Sequence, residues 1–192
     1  ISNSDFDNGI EGFNRMLPHA KFPFLNTNYD FSKTILKGKI KPYKIFIKEG
    51  IKIGVFGVGV ELDGLVDKKL YKETKYSDPV IAANKTADIL KNKEQCDLII
   101  CLSHLGYKYK SDQISDLKLA SSTKYIDLII GGHTHTSLDK PTKIKNLDGE
   151  ITLINQVGWA GVNIGRLNYF VNNSKNYTVS SQNITITGKK IP

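Results

Sequence analysis

Two histidines follow an apolar, strand-like run near the middle of the chain. Residues 126–130 lead into Gly131 and Gly132, and His133 and His135 come directly after these glycines. In an extended segment, residues two apart point the same way and lie about 6.5 Å apart, so both imidazoles would reach one place. Open α/β sheets carry their chemistry at the carboxyl ends of strands. The pattern therefore predicts an α/β fold, and each imidazole could bind one metal ion of a pair roughly 3.5–4 Å apart.

Segments typical of helices and strands alternate before this run. We expect a helix over residues 8–17, a strand over 22–28, a hairpin of strands 43–48 and 51–58, a helix over 80–93, a strand over 97–103 and a short helix over 113–121. Asp78 or Ser77 would cap the helix over 80–93, and Pro79 would begin it. The order strand, helix, strand, helix, strand predicts a sheet that is parallel in this portion.

The pattern changes after Pro141. Residues 150–157, 162–171 and 177–187 are strand-like, and Asp148-Gly149 is a favourable hairpin turn. These segments predict an antiparallel meander that finishes a second sheet. Because repeats and linkers are absent, we expect residues 1–192 to form part of a single domain.

Charge and cysteine content narrow the choice of partners. The net charge is +8, but 25 of the 27 basic residues are lysines, spread along the chain. Base and phosphate recognition usually recruits arginine, so the composition argues against a nucleic-acid partner.

No run approaches the ~18 apolar residues of a membrane span. Cys96 and Cys101 would face opposite sides of one strand, so we expect two reduced thiols.

A third histidine also ends an apolar strand. His104 follows residues 98–102 and precedes a glycine-containing loop, whereas His19, the fourth histidine, follows Pro18 and is expected at the surface. If neighbouring strands carry His104 and His133, three histidines converge at strand ends, a set that suits zinc, manganese or iron. Oxygen ligands could come from the amino-terminal cluster of Asn3, Asp5 and Asp7.

Four motifs together resemble one family. Their order is Asn3-Ser4-Asp5-Phe6-Asp7-Asn8-Gly9, then Ser103-His104-Leu105-Gly106, then Gly132-His133-Thr134-His135, and last Gln156-Val157-Gly158. This order is similar to that of calcineurin-like metallophosphoesterases of the 5′-nucleotidase family. The stretch around Asp78-Pro79 with its helix also resembles the family, so the likeness covers nearly the whole chain.

The resemblance implies a four-layer α/β/β/α sandwich of two mixed sheets with a two-metal site. Asn3, His104 and His133 match ligands of one metal ion, His135 matches a ligand of the other, and Gln156 and Gly158 match supporting residues. Two divalent ions, of zinc, manganese or iron, would activate a bridging water against a nucleotide or another phosphomonoester. The family also suggests a periplasmic or extracytoplasmic location, and the separate carboxyl-terminal nucleotide-specificity domain of some members has no counterpart here.

The chain departs from the family in two ways. The Asp-x-His and Gly-Asp segments that supply further ligands are not found, so about 100 residues of an ordinary domain would be absent before residue 1. Ser4 stands where the family has its catalytic histidine, and a hydroxyl cannot act as a general acid near neutral pH. We therefore expect the carboxyl-terminal two-thirds of a metallophosphoesterase domain, with impaired activity unless another segment or chain completes it.

Three hypotheses follow. The first is a metal-dependent phosphoester hydrolase of the 5′-nucleotidase type. The second is a non-catalytic relative that binds a ligand or a partner. The third uses the positive charge and is a nuclease-like phosphodiesterase.

Overall fold

A six-stranded mixed sheet organises the computed structural model, which describes residues 1–172, 174 and 176–186. The helices are α1 (Gly9–Met16), α2 (Lys68–Tyr71), α3 (Pro79–Asp88) and α4 (Asp116–Ser121). The strands are β1 (Tyr29–Asp30), β2 (Tyr43–Lys48), β3 (Ile51–Gly59), β4 (Lys75–Tyr76), β5 (Leu98–His104), β6 (Leu128–Ile130), β7 (Thr142–Lys145), β8 (Ile151–Asn155), β9 (Asn163–Val171) and β10 (Tyr177–Thr185). The strand order in the main sheet is β2-β3-β5-β6-β8-β7.

The four inner strands of the main sheet run parallel, as the alternation of strands and helices predicts. β3, β5, β6 and β8 pair in parallel, while β2 and β7 are antiparallel strands at the two edges. Gly59 lies opposite His104, and Leu102 lies opposite Ile130. The carboxyl ends of β3, β5 and β6 therefore share one edge of the sheet, where the histidine-bearing segments leave it.

The main hydrophobic core lies between one face of this sheet and the helices α3 and α4. Ala83 of α3, Leu119 of α4 and Leu90 of the turn after α3 pack against alternate residues of the inner strands. These strand residues include Phe56, Ile99, Cys101, Ile129 and Ile154. Asp78 caps α3 by accepting hydrogen bonds from the Val80 and Ile81 amides, which confirms the predicted start. α3 ends at Asp88 and continues as one π-turn, Ile89–Lys93.

A second cluster holds the amino-terminal segment on the opposite face. Phe6, Ile10 and Phe13 pack with Tyr29 around α1. A Cβ atom at Gly59 would lie 2.4 Å from the Tyr29 hydroxyl oxygen, so this packing requires glycine at the end of β3. The cluster therefore fixes the segment before α1 beside the ends of β3 and β5.

The predicted strand over residues 22–28 is wrong. Leu25 makes only an isolated bridge to Lys41, and the regular strand β1 begins at Tyr29. The Asn26 side-chain oxygen accepts hydrogen bonds from the amides of Asn28 and Tyr29, at 3.0 and 2.7 Å. An asparagine that satisfies its own downstream backbone favours a turn over a ladder.

The predicted antiparallel meander is only partly correct. β8 lies inside the main sheet, parallel to β6, and β7 pairs with it through the expected Asp148-Gly149 turn. β9 and β10 form a separate two-stranded ladder, and Thr187 lies outside the described residues. The sequence pattern predicted these strands correctly. It did not predict that β8 pairs in parallel with β6 inside the main sheet.

Two apolar residues remain uncovered in the centre of the main sheet. Leu102 of β5 and Ile130 of β6 are register neighbours on the face opposite α3 and α4, and they are 39% and 43% exposed. Parallel sheets normally have both faces covered. β9 begins a layer on this side, because a Cβ at Gly165 would lie 2.9 Å from Nδ2 of Asn155, the register neighbour of Ile130. That layer stops short of Leu102 and Ile130.

A half-buried carboxylate ties the β9–β10 ladder to the main sheet. The Tyr177 hydroxyl donates to Asp127 Oδ1 at 2.6 Å, and the Ile99 amide donates to Asp127 Oδ2 at 2.7 Å. Burial raises the pKa of Asp127, and these two hydrogen bonds act in the opposite direction. Tyr169 lies beside Tyr177, but its buried hydroxyl has no hydrogen-bond partner in the part of the chain that the structure describes.

This contrast gives a matched pair of substitutions. Tyr177→Phe should lower the free energy of unfolding by about 1–3 kcal/mol, because it leaves Asp127 short of a donor. Tyr169→Phe should leave stability unchanged or slightly raised, because it removes a hydroxyl that is already unpaired. Chemical denaturation of both variants measures the difference. Equal losses for the two would contradict the anchoring role of Asp127.

Candidate metal centre

Three of the residues singled out from the sequence meet at the shared edge of the sheet. His104 is the last residue of β5, and its ring lies 5.1 Å from that of His133, centroid to centroid, in an edge-on arrangement. The Asn3 side-chain oxygen lies 3.1 Å from His104 Nε2. A Cβ at Gly132 would lie 3.0 Å from His104 Nδ1, so the close approach of the two histidine-bearing segments favours glycine at this position.

Asn3 reaches this place through a capped 3-10 turn, Asn3–Phe6. The Ser2 amide and hydroxyl both donate to Asp5 Oδ2, at 2.7 and 3.1 Å, and Phe6 is buried beneath the turn. Asp5 therefore serves as part of the cap, and Asp7 and Ser4 are exposed. Of the amino-terminal cluster, only Asn3 directs an oxygen at His104.

Burial keeps the two histidines neutral. Desolvation, assisted by the neighbouring His133, lowers the pKa of His104 to about 4, and desolvation also lowers the pKa of His133. A neutral imidazole has a free lone pair, whereas a protonated one cannot bind a cation. At neutral pH both rings are therefore in the form that a metal ion requires.

The extended geometry expected for His133 and His135 is wrong. β6 ends at Ile130, and both histidines have left-handed backbone conformations, with φ of 69° and 52°. Positive φ is uncommon for residues other than glycine, and such residues concentrate at functional sites when the surroundings hold them there. The two rings therefore point in directions set by a turn and not by strand alternation.

Gln156 holds this turn. Its side chain is 1% exposed, and its Nε2 donates to the Gly132 carbonyl at 2.7 Å. Its Oε1 accepts from the Thr134 hydroxyl at 3.2 Å and from the Thr136 amide. Gly158, with φ of 81°, donates its amide to the Thr136 carbonyl at 2.9 Å. Both supporting residues thus lie against the segment that carries the histidines.

A buried carboxyl group beneath the site was not found from the sequence. Asp116 is fully buried, accepts from the Ser103 hydroxyl at 2.5 Å, and faces Gly131, where a Cβ would lie 2.2 Å from its Oδ2. Ser103 also accepts the Leu105 amide at 3.2 Å. Asp116 resembles an ordinary acidic residue in the first turn of a helix, so no local signal marks its contact with both strand ends.

His135 makes a different ring contact from the other two histidines. It is exposed, and its ring stacks on Trp159 with centroids 5.4 Å apart and an angle of 12° between the planes. Within the described ranges, no three His, Cys, Asp or Glu side chains converge to hold a metal ion. Of the three histidines expected at the strand ends, His104 and His133 are in ring contact beside Asn3. His19 is exposed, as expected.

Asn3, His104 and His133 would supply part of the ligand set of one divalent transition-metal ion. Two neutral imidazoles and an amide oxygen come from three separate elements, and nitrogen and oxygen donors of this kind suit zinc, manganese or iron. No carboxylate of the described residues joins them. The set therefore supplies three donors, and further ligands would have to come from water, substrate or another segment.

Known proteins similar to this chain include 5′-nucleotidases and related phosphoesterases. The chain is 29% identical over 210 residues to a 5′-nucleotidase of Vibrio cholerae, which covers 99% of the chain and 38% of that protein. It is 32% identical over 164 residues to the trifunctional nucleotide phosphoesterase YfkN of Bacillus subtilis, covering 77% of the chain and 11% of that protein. The crystal structure of a 5′-nucleotidase precursor from Thermus thermophilus superposes with a TM-score of 0.85 at 26% identity, over 96% of the chain and 38% of that structure.

These similarities concern a part of each relative. The chain spans well under half the length of these three proteins, and no protein-family model matches it. The fold is nonetheless similar to that of the Thermus thermophilus structure over 96% of the chain.

Asp116 gives a pH-dependent signature. Desolvation raises its pKa to about 7, although the hydrogen bond from Ser103 opposes the shift. Because the folded pKa lies above the unfolded value, the stabilisation is complete below pH ~4 and is lost as pH rises to ~7. Asp116→Asn should flatten this loss, which is on the order of a few kcal/mol, whereas the exposed Asp112→Asn should not. Urea denaturation between pH 4 and 8 tests this, and parallel curves for Asp116→Asn and wild type would refute it.

Proposed function

Because this chain belongs to the 5′-nucleotidase family of calcineurin-like phosphoesterases, we propose that it forms the histidine-bearing part of a metal-dependent phosphomonoesterase. Its substrates would be nucleotides or related sugar-phosphate compounds. The observation that carries the proposal is the approach of Asn3, His104 and His133 at the carboxyl edge of the sheet.

Each candidate ligand has a defined part in this proposal. Asn3, His104 and His133 would hold one divalent ion, and His135 would contribute to a second. When bound, such ions neutralise phosphate charge and lower the pKa of a water molecule. The chain itself keeps the His104 and His133 imidazoles neutral by burial, and Gln156 fixes the turn between the two candidate sites.

Ser4 limits what the chain can do alone. It is exposed on the turn that carries Asn3, at the position where the family has a histidine that assists the leaving group. A hydroxyl does not release or take up a proton near neutral pH, and loss of a general acid typically costs 10²–10⁴-fold in rate. We therefore propose impaired turnover, and a non-catalytic binding role is the second candidate that Ser4 favours.

A further segment would complete both the fold and the site. Leu102 and Ile130 leave the centre of the main sheet uncovered, and β9 has no partner on its second edge among the described strands. A strand-forming segment, from the same polypeptide or from another chain, would cover the two residues and could bring the carboxylate ligands missing here. The exposed apolar pair supports this proposal because it lies directly below the candidate metal site.

An extracytoplasmic location is proposed from the relatives. The Thermus thermophilus neighbour is described as a 5′-nucleotidase precursor. Across the part of the chain that the structure describes, no helix has the length and apolar character needed to span a membrane.

Metal binding and hydrolysis test the proposal together. We expect the purified chain to bind one Mn²⁺ or Zn²⁺ ion weakly and to release phosphate from AMP slowly or not at all, because three donors make an incomplete site. His104→Ala should abolish the binding, whereas His19→Ala, at an exposed histidine, should not. Equilibrium dialysis and a phosphate-release assay measure both. Two tightly held ions with robust phosphate release would overturn the proposed impairment, and binding unaffected by His104→Ala would overturn the site.

Restoring the family's histidine should rescue little. Ser4→His supplies an imidazole, but the missing carboxylate ligands still leave the metal site incomplete, so we expect a rate within about tenfold of wild type and far below the 10²–10⁴-fold effect of a working general acid. Ser4→Ala serves as the control for any change in the exposed turn. A large gain for Ser4→His alone would mean that the ligands present already suffice.

A further inference from the structure

One buried carboxyl group lies beneath the two histidine-bearing segments and takes no part in the proposed chemistry. Asp116, the first residue of α4, is fully buried. Its Oδ1 accepts from the Ser103 hydroxyl at 2.5 Å, but its Oδ2 has no hydrogen-bond partner among the described residues. A buried acceptor without a partner is costly, so this position calls for an explanation beyond core packing.

Asp116 is joined to the backbone on both sides of His104. The Ser103 hydroxyl, which donates to Asp116, also accepts from the Leu105 amide at 3.2 Å. The Asp116 amide donates to the Gly106 carbonyl at 2.7 Å. The residues that flank His104 are therefore tied to the first turn of α4, a helix that packs in the main core.

The same carboxyl group also contacts the segment that leads to His133. A Cβ atom at Gly131 would lie 2.2 Å from Asp116 Oδ2, so the glycine backbone rests directly against this oxygen. Gln156 Nε2 lies 3.0 Å from the same Cβ position and donates to the Gly132 carbonyl at 2.7 Å. The backbone before His133 is thus in contact with two buried polar side chains, and only Asp116 reaches the other histidine segment as well.

A side chain in contact with both segments limits how far the two rings can separate. The ring centroids of His104 and His133 lie 5.1 Å apart, and a binding constellation must be held within about 0.5 Å of its productive geometry. We propose that Asp116 is a positioning residue that holds His104 and His133 at the separation in which both rings can bind one ion. This inference rests on the proposed function, because it assigns a buried residue outside the ligand set to that site.

Four substitutions separate this role from general stability. Asp116→Ala removes the side-chain contacts with both segments, whereas Asp116→Asn keeps the shape of the side chain and the acceptor for Ser103. Ser103→Ala breaks only the hydroxyl bridge. Leu90→Ala opens a cavity in the same core beside Gly54, towards the opposite edge of the sheet, so it lowers stability without touching the histidine segments.

NMR of the metal-free chain and Mn²⁺ binding give two separate readouts. In wild type we expect a nuclear Overhauser effect between the ring protons of His104 and His133. It should be lost in Asp116→Ala, weakened in Ser103→Ala and kept in Asp116→Asn and Leu90→Ala. The Mn²⁺ dissociation constant, followed by the electron paramagnetic resonance of free Mn²⁺, should rise about tenfold or more in Asp116→Ala and stay within about threefold of wild type in Asp116→Asn and Leu90→Ala.

The other outcomes separate the inference from the proposed function. An unchanged ring contact and Mn²⁺ affinity in Asp116→Ala would overturn the positioning role. Equal losses in Asp116→Ala and Leu90→Ala would show a general effect of stability and would overturn it too. If Asp116→Ala does not fold, an unchanged ring contact in Ser103→Ala refutes the inference. If wild type binds no Mn²⁺ but its ring contact depends on Asp116, the proposed function fails and the positioning of the two rings stands.

Discussion

The parallel pairing of β5 with β6 is the constraint on which the rest of the structure depends. It sets Leu102 opposite Ile130, so both strands end at the same edge, and the next residues carry the histidines. A slip of one residue would turn every side chain to the other face and would separate His104 from His133. The helices α3 and α4 hold this register by packing on the opposite face. The candidate site is thus a consequence of how the core packs.

Two buried polar side chains fix the backbone at the edge of the sheet where β5 and β6 end. Asp116 lies between the Ser103 end of β5 and Gly131, and Gln156 holds the turn from Gly132 to Thr136. Both groups are fully or almost fully buried. The hydrogen bonds of Gln156 hold the segment in which His133 and His135 adopt backbone conformations that such residues rarely adopt. At the exposed end of the same segment, the ring of Trp159 stacks on that of His135.

The sequence predicted the parts that depend on local pattern. The hairpin of β2 and β3, the start of α3 at Asp78 and Pro79, and the strands that lead to His104 and His133 follow from apolar periodicity and turn residues. The place of β8 beside β6 could not be predicted, because strand pairing depends on distant partners. The turn conformation of His133 was missed because alternation assumes an extended chain. The contacts of Asp116 with Ser103 and Gly131, and of Trp159 with His135, were missed because they join residues that are distant in the sequence.

The central claim is that Asn3, His104 and His133 bind one divalent ion at the strand ends. Anomalous diffraction at the manganese edge, from a crystal of this chain soaked in Mn²⁺, tests it most directly. We expect one anomalous peak within coordination distance of the Asn3 side-chain oxygen and a ring nitrogen of each of the two histidines. The absence of a peak beside these three side chains under saturating Mn²⁺ would contradict this assignment.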